Sequence, residues 1–203
     1  MTGYERALEG GLVMPVWTRV INAGNESGRG DARSEYAPTE FAYRVIQQWD
    51  NDGPVLGWIL PAPPRRAGWR ATPPWRHCAA IARGLGYGGI DIGFLSAGGR
   101  DDNAADPRLC AIAHDRDLVV LAWGSSISRA RTRSAAALLW RELAAHDGSL
   151  AVLGWTPEGQ PAAVDSAPKH PVLTCLCCAP AVAGDPLFEH DRRFDQLLSG
   201  VAA

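Results

Sequence analysis

The sequence predicts a three-layer α/β/α sandwich built around a parallel sheet of about four strands. Short apolar runs alternate along the chain with segments of helical character, the pattern of a parallel sheet whose strands are joined by helices. The 203 residues are 46% hydrophobic and 21% charged and carry a net charge of −2. This composition is typical of globular proteins and excludes a largely disordered chain.

Four apolar runs are predicted to form the strands, at residues 55–60, 90–95, 118–123 and 150–153. The first run is followed at once by Pro61, as expected where a buried strand ends. In sheets of this kind, ligands bind at the carboxyl ends of the strands. We therefore expect the functional loops to begin at Pro61, Ser96, Trp123 and Trp155.

Helices are predicted between the strands and near the end of the chain, at residues 73–83, 106–114, 129–146 and 186–198. Prolines open the first helix and glycine follows it, the usual asymmetry of helix ends. Ser128 is the expected N-cap of the longest helix. Residues 1–39 are predicted to be an irregular N-terminal extension, and residues 40–203 a single α/β domain.

The chain shows no sign of export or membrane insertion. No apolar run approaches the roughly 18–20 residues of a spanning helix, and the N-terminus lacks signal-peptide features. Five cysteines is an odd number, which argues against a disulfide framework and for a cytoplasmic location. The group Cys175-Leu176-Cys177-Cys178 has apolar neighbours and no second Cys-x-x-Cys pair. We predict no metal and, without a nicotinamide or flavin fingerprint, no cofactor.

Arginine is distributed unevenly, although 19 of the 20 basic residues are Arg, as a GC-rich genome would favour. No acidic residue lies between Asp52 and Asp91, yet five arginines do: Arg65, Arg66, Arg70, Arg76 and Arg83. Trp69 and Trp75 are interleaved with them. Guanidinium groups for phosphate and ring faces for bases are what a nucleotide or single-stranded nucleic acid needs. A solvated basic surface with inward-packed Trp rings is the alternative.

A second basic group follows the third strand, where Arg129, Arg131 and Arg133 crowd the first turn of the longest helix. Cations there oppose the helix dipole by about 0.3–1 kcal/mol each. If an anion is bound at the helix N-terminus, the same cations become favourable because they contact the anion. Ser125 and Ser126 supply further hydrogen-bond donors, so the loop predicts an anionic ligand.

Only one catalytic candidate lies on the predicted functional edge. His170 precedes Pro171 in the loop after the fourth strand, where a histidine can act as acid, base or electrophile. A surface loop histidine is the alternative. The chain has no nucleophile elbow, Walker loop or dinucleotide-binding glycine pattern. The remaining candidates are interpreted as structural histidines (His77, His114, His146) and a solvated acidic loop (Asp101, Asp102, Asp106).

Several segments, in order, resemble a bacterial and phage family known as a domain of unknown function. They include Trp58-Ile59-Leu60-Pro61, Arg76-His77-Cys78, Ala122-Trp123-Gly124, Leu153-Gly154-Trp155-Thr156 and His170-Pro171, and the resemblance covers roughly residues 40–175. Family members read Leu-Asn-Pro-Ser-Thr-Ala-Asp after the first strand, Trp-Gly after the third and His-Pro-Leu near the end. This layout is similar to the uracil-DNA glycosylase superfamily, which implies a four-stranded parallel sheet and a late His-Pro loop.

The chain departs from the family pattern at its first loop. Leu60-Pro61-Ala62-Pro63-Pro64-Arg65 stands in place of the polar Asn-Pro-Ser-Thr-Ala-Asp, and Phe94 stands where a second Asn is expected. Glycosylase-like chemistry needs one polar group to place water and another to stabilise the departing base. His170 suits the second role, and the first has no clear candidate, since Asp91 lies within a strand.

Three hypotheses about function follow. The first is an enzyme that hydrolyses an N-glycosidic bond, with His170 as electrophile and Trp123 or Trp69 stacked on the base. In it Arg65, Arg66 and Arg129 hold phosphate, and Ser96, Gly124, Ser125 and Ser126 complete the binding set. The second is a catalytically inactive binding or adaptor protein on the same fold, and the third an enzyme of small-molecule metabolism. Substrate and oligomeric state are not predicted.

Overall fold

The computed structural model describes residues 17–22, 42–63, 74–96, 105–168, 171–178 and 191–199. These residues form a mixed α/β structure. Its strands are β1 (Trp17–Asn22), β2 (Ala42–Gln48), β3 (Val55–Leu60), β4 (Gly89–Phe94), β5 (Leu118–Leu121), β6 (Ser149–Val152) and β7 (Thr174–Cys177). Its helices are α1 (Pro74–Gly84), α2 (Asp106–Asp115), α3 (Arg129–Ala144) and α4 (Arg192–Ser199), and a short 3-10 helix spans Val164–Ser166.

The strands form one sheet in the order β1-β2-β4-β3-β5-β6-β7. The four predicted strands, β3 to β6, are present and parallel to one another. The sheet is nevertheless larger than predicted and mixed, because β1, β2 and β7 pair antiparallel at its two ends. These three strands are less apolar than the central ones, so their sequences do not show the continuous hydrophobic run of a doubly buried strand.

The N-terminal extension differs in part from the prediction. Residues 17–22, expected to be irregular, form the edge strand β1, paired with β2 from Trp17↔Gln48 onward. A strand of this kind is stabilised by its partner across the sheet, a contact that local composition does not reveal. The rest of the predicted extension, apart from these six residues, lies outside the described part of the chain.

Helices pack against both faces of the sheet. One hydrophobic cluster joins α1 and the 3-10 helix to β3 and β4 through residues such as Cys78, Trp58 and Ile92. The other joins α2, α3 and α4 to the opposite face through residues such as Leu109, Leu139 and Phe194. The predicted helices are therefore present, with α3 ending at Ala144 and α4 beginning at Arg192.

Two strand glycines let α2 approach the sheet closely. A Cβ atom on Gly93 would lie 2.7 Å from Ile112 Cδ1, and one on Gly57 would lie 3.3 Å from Ile112 Cγ2. The first distance is too short for a Cβ contact and the second is tight. The absence of a side chain at both positions therefore lets Ile112 pack closely against β3 and β4. Among the described residues, none of the helices is long and apolar enough to cross a membrane.

Candidate functional site

A pocket of about 590 Å³ lies at the carboxyl edge of the parallel strands. Its walls are the first turns of α3, which follows β5, the segment that follows β6, and α4. The lining residues are Arg129, Arg133, Trp155, Thr156, Pro157, Glu158, Gly159, Gln160, Arg193, Gln196 and Leu197. Among them are three arginines and one glutamate, a formal charge of three minus one, or +2. The pocket therefore lies where the sequence places the functional loops, and it is basic.

A tight hairpin at residues 155–161 forms one wall. Its ends meet in the bridge between Trp155 and Pro161, and the Thr156 backbone N donates to Gln160 O at 2.7 Å. Gly159 adopts a φ of 73° in the turn, a conformation that favours glycine. The loop after β5 anchors the hairpin, because the Gly124 backbone N donates to Pro161 O at 2.9 Å. The wall is thus held at its base.

The cations of the pocket differ in how they are held. Arg129 is exposed and its Nη2 lies 3.4 Å from the backbone oxygen of Glu158. Arg133 is half-buried in the wall and forms no hydrogen bond or ion pair with any described residue. Arg193 is fixed by Asp191, whose carboxylate accepts its Nε at 2.9 Å, and its guanidinium lies 5.5 Å from the centre of the Trp155 ring. Arg129 and Arg133 are therefore the two guanidinium groups available to a ligand.

The third arginine of the predicted α3 group has a structural role instead. Arg131 is 5% exposed, its Nε donates to Leu95 O at 3.0 Å, and its Nη1 lies 2.6 Å from an Asp106 carboxylate oxygen. It joins α3 to the end of β4 and to α2. Ser128 caps α3 as predicted, accepting from the Arg131 backbone N at 3.3 Å.

Glu158 places an ionised carboxylate at the hairpin tip. Hydrogen bonds from the Thr156 hydroxyl, from its own backbone amide and from the Ser125 hydroxyl lower the pKa of Glu158 below its ordinary value. The Ser125 Oγ donates to Glu158 Oε2 at 3.0 Å. Arg129 lies on the same side and lowers this pKa further. The pocket therefore combines the guanidinium groups of Arg129 and Arg133 with one fixed negative charge.

Gln160 is the most buried polar side chain of the pocket wall. It is 8% exposed, and its Oε1 accepts the indole Nε1–H of Trp123 at 3.3 Å. Trp123 itself is 1% exposed and packs in the core beneath α3. The expectation that Trp123 stacks on a ligand base is therefore wrong for this conformation, because neither ring face is accessible. Trp123 acts on the pocket through Gln160.

The other predicted site residues fall into three groups. Arg65, Arg66, Trp69 and His170 lie outside the described residues, so their roles stay predictions. Ser125 and Ser126 are exposed in the loop after β5, where Ser125 contacts Glu158. Ser96 is fully buried and Gly124 donates its N–H to the hairpin, so neither lines the pocket. Both were expected to bind ligand because they follow strand ends, but each is used to close the fold.

The cysteine group lies on the edge strand β7, away from this pocket. Cys175 and Cys177 are exposed and Cys178 is buried, as strand alternation dictates. Burial raises the pKa of Cys178 to about 11, so its thiol is protonated at neutral pH. Within the described ranges, no three His, Cys, Asp or Glu side chains are grouped in a way that suits a metal ion.

The sequence analysis expects a functional loop to begin at Trp155, but it gives no role to three residues of the pocket, Glu158, Gln160 and Arg193. The first two belong to the stretch after Trp155, for which no helix or strand is predicted. Its Pro157-Glu158-Gly159 segment is a turn signal that would have predicted a hairpin tip. Arg193 carries no comparable signal, because α4 reaches the pocket only through tertiary packing on α3.

No protein-family model, curated protein or solved structure matches this chain. The resemblance to the bacterial and phage family, and through it to the glycosylase layout, therefore stays a prediction. The function must be argued from the pocket itself.

Proposed function

We propose that the chain binds a phosphate-bearing ligand, a nucleotide or a single-stranded nucleic acid, in the pocket between α3, the 155–161 hairpin and α4. The observation that carries the proposal is the position of Arg129 and Arg133 in the pocket wall, on the first turns of α3. Arg133 forms no hydrogen bond with a described residue, and the one hydrogen bond of Arg129, to Glu158 O, is long at 3.4 Å. Arginine forks match phosphate oxygens, and the helix N-terminus adds partial positive charge at the same place.

The dimensions and lining of the pocket support a nucleotide. Small-molecule sites occupy roughly 300–1,000 Å³, and this pocket of about 590 Å³ falls within that range. Trp155 is half-buried in the wall, where its ring packs edge to face on Phe194 and lies under Arg193. A nucleotide with its base next to Trp155 and its phosphate next to Arg129 would use both the aromatic ring and the positive charge of the pocket.

Hydrolysis of an N-glycosidic bond is the second candidate function, and Glu158 favours it. The sequence offers no polar group after β3 to place a water molecule, whereas Glu158 is an ionised carboxylate in the same pocket as Arg129 and Arg133. A carboxylate of this kind can orient the attacking water. In this proposal the sheet and its helices are a three-layer, glycosylase-like sandwich, and His170 stabilises the departing base.

Binding measurements test the first proposal. We expect a fluorescent oligothymidylate and AMP to bind at low salt, and Arg129→Ala/Arg133→Ala to weaken both by at least about tenfold, the loss of roughly one charged hydrogen bond. The control is Arg141→Ala, which removes an exposed arginine from the last turn of the same helix. Equal affinity of the double variant and the wild type would overturn the proposal.

Turnover separates the enzyme from the two other hypotheses. Release of free base from an oligonucleotide, abolished by Glu158→Gln with binding retained, supports the hydrolase. Tight oligonucleotide binding with no base release supports an inactive binding protein. Chemical conversion of a mononucleotide, with the oligonucleotide neither bound nor cleaved, supports an enzyme of small-molecule metabolism.

A further inference from the structure

The side-chain amide of Gln160 has one defined orientation. The indole Nε1–H of Trp123 is a donor only, and it lies 3.3 Å from Gln160 Oε1. Turning the amide over would bring two N–H donors face to face in a buried place. The buried indole therefore fixes the amide oxygen towards the core and the amide nitrogen, Nε2, away from it.

The backbone of Gln160 is held as firmly as its side chain. Its N–H donates to Thr156 Oγ1 at 3.3 Å, and its carbonyl oxygen accepts the Thr156 N–H at 2.7 Å. The next residue, Pro161, forms the bridge with Trp155 and accepts the Gly124 N–H. Gln160 cannot move without opening the hairpin, so Nε2 has a fixed position.

That nitrogen is an unused donor in the pocket wall. Gln160 lines the pocket and is 8% exposed, yet its Nε2 donates to no residue in the described part of the chain. Among the described residues, the buried side-chain atoms that lack a hydrogen-bond partner do not include Nε2, so solvent in the pocket reaches this donor. A ligand that supplies an acceptor can take the place of that solvent and use the donor.

We propose that Gln160 determines ligand specificity by donating a hydrogen bond from Nε2 to a keto oxygen on the base of a nucleotide whose phosphate lies against Arg129 and Arg133. The inference rests on the proposed nucleotide binding. Because Oε1 is occupied by Trp123, the amide presents a donor without an acceptor, so it favours a keto group and disfavours an amino group at the same position. Trp123 is a positioning residue for this selection.

Paired nucleotides that exchange a keto oxygen for an amino group test the proposal: UMP against CMP, and IMP against AMP. We expect the wild type to prefer the keto member of at least one pair by about tenfold or more, the range for one discriminating hydrogen bond. Gln160→Met keeps the length of the side chain and removes the donor. It should bring that ratio close to one while leaving the affinity for inorganic phosphate unchanged.

Two further variants test the keto preference independently. Trp123→Phe removes the indole N–H and should lower the keto preference without changing the phosphate affinity. Gln160→Glu replaces the donor by an acceptor and should reverse or abolish the preference. Phosphate affinity shows that Gln160→Met and Trp123→Phe are folded, because it depends on the same pocket. Circular dichroism shows this for Gln160→Glu, whose new carboxylate would itself oppose phosphate.

The outcomes distinguish the two proposals. Equal binding of both members of each pair by the wild type, or an unchanged ratio in Gln160→Met, overturns the role of Gln160 while the phosphate site stands. A wild type that binds phosphate but shows no preference within either nucleotide pair also overturns the role of Gln160 and leaves the phosphate site in place. Failure of the wild type to bind phosphate and all four nucleotides overturns the proposed function, and the role of Gln160 with it.

Discussion

Arg44 and Asp91 form a buried two-point ion pair that joins the antiparallel strand β2 to the parallel core. The Arg44 Nε donates to Asp91 Oδ1 at 2.8 Å and its Nη2 to Oδ2 at 2.6 Å. Asp91 is fully buried and is also bound by Arg116, whose Nε lies 3.0 Å from Oδ2. The hydrogen bonds and charge of Asp91 raise the pKa of Arg44 above its ordinary value. Asp91, considered at first for catalysis, is therefore a structural carboxylate.

Replacing Asp91 by Asn should destabilise the protein strongly. The change leaves two arginines facing a neutral amide in a buried place, and breaking a buried pair of this kind costs about 3–5 kcal/mol. Denaturant unfolding measures the loss. The control is Asp115→Asn, because Asp115 is 44% exposed while it contacts the same Arg44 at 2.9 Å, and it should cost no more than about 1 kcal/mol. Equal losses for the two variants would contradict the structural role of Asp91.

A methyl group at Gly93 should separate α2 from the sheet. The new Cβ would lie 2.7 Å from Ile112 Cδ1, so Gly93→Ala should cost about 1–3 kcal/mol of the free energy of unfolding. Gly84→Ala is the matched control, since nothing lies within 4 Å of a Cβ there. Thermal unfolding compares the two. A Gly93→Ala variant as stable as Gly84→Ala would show that the packing of Ile112 is looser than described.

The strands illustrate which parts of this fold are readable from sequence. Val55–Leu60 is a continuous apolar run stopped by proline, and it matches β3 residue for residue. The Arg44–Asp91 pair is not readable, because it joins residues 47 positions apart whose contact depends on the order of the strands. Helical periodicity does place Arg129 and Arg133 on one face of α3 and Arg131 on another. It does not show that Arg131 binds Leu95 O and Asp106, or that the other two arginines line the pocket. Local signals predicted the central elements, and tertiary contacts decided the site.

Anion binding should strengthen as the pH falls through the pKa of Glu158. Hydrogen bonding lowers this pKa, so the carboxylate is ionised at neutral pH and opposes an anion beside Arg129. Protonation removes that negative charge, and the affinity for sulfate, which keeps its charge over this range, should rise. Glu158→Gln should raise the sulfate affinity at neutral pH several-fold and remove most of the pH dependence. Isothermal titration calorimetry at a series of pH values measures both. A sulfate affinity that falls on acidification in the wild type would contradict the placement of Glu158.

The cysteines should differ in their rates of alkylation. Cys175 and Cys177 are exposed, whereas Cys78 and Cys178 are buried. Burial raises the pKa of Cys175 as well as that of Cys78 and Cys178, but only the last two thiols are also shielded from the reagent. Because the thiolate is the nucleophile, iodoacetamide should modify Cys175 and Cys177 well before Cys78 and Cys178 in the native protein. Mass spectrometry after timed alkylation gives the order. Early modification of Cys178 would show that β7 leaves the sheet edge in solution.

The most direct test of the pocket is to observe its arginines while a nucleotide binds. NMR spectra of the arginine Nε–Hε groups, assigned by Arg129→Lys, Arg133→Lys and Arg141→Lys, follow each guanidinium during a titration with AMP. We expect the Arg129 and Arg133 signals to shift progressively and to saturate together, with Arg141 at the far end of α3 unchanged. Saturable AMP binding that moves neither Arg129 nor Arg133 would place the ligand elsewhere and contradict the account.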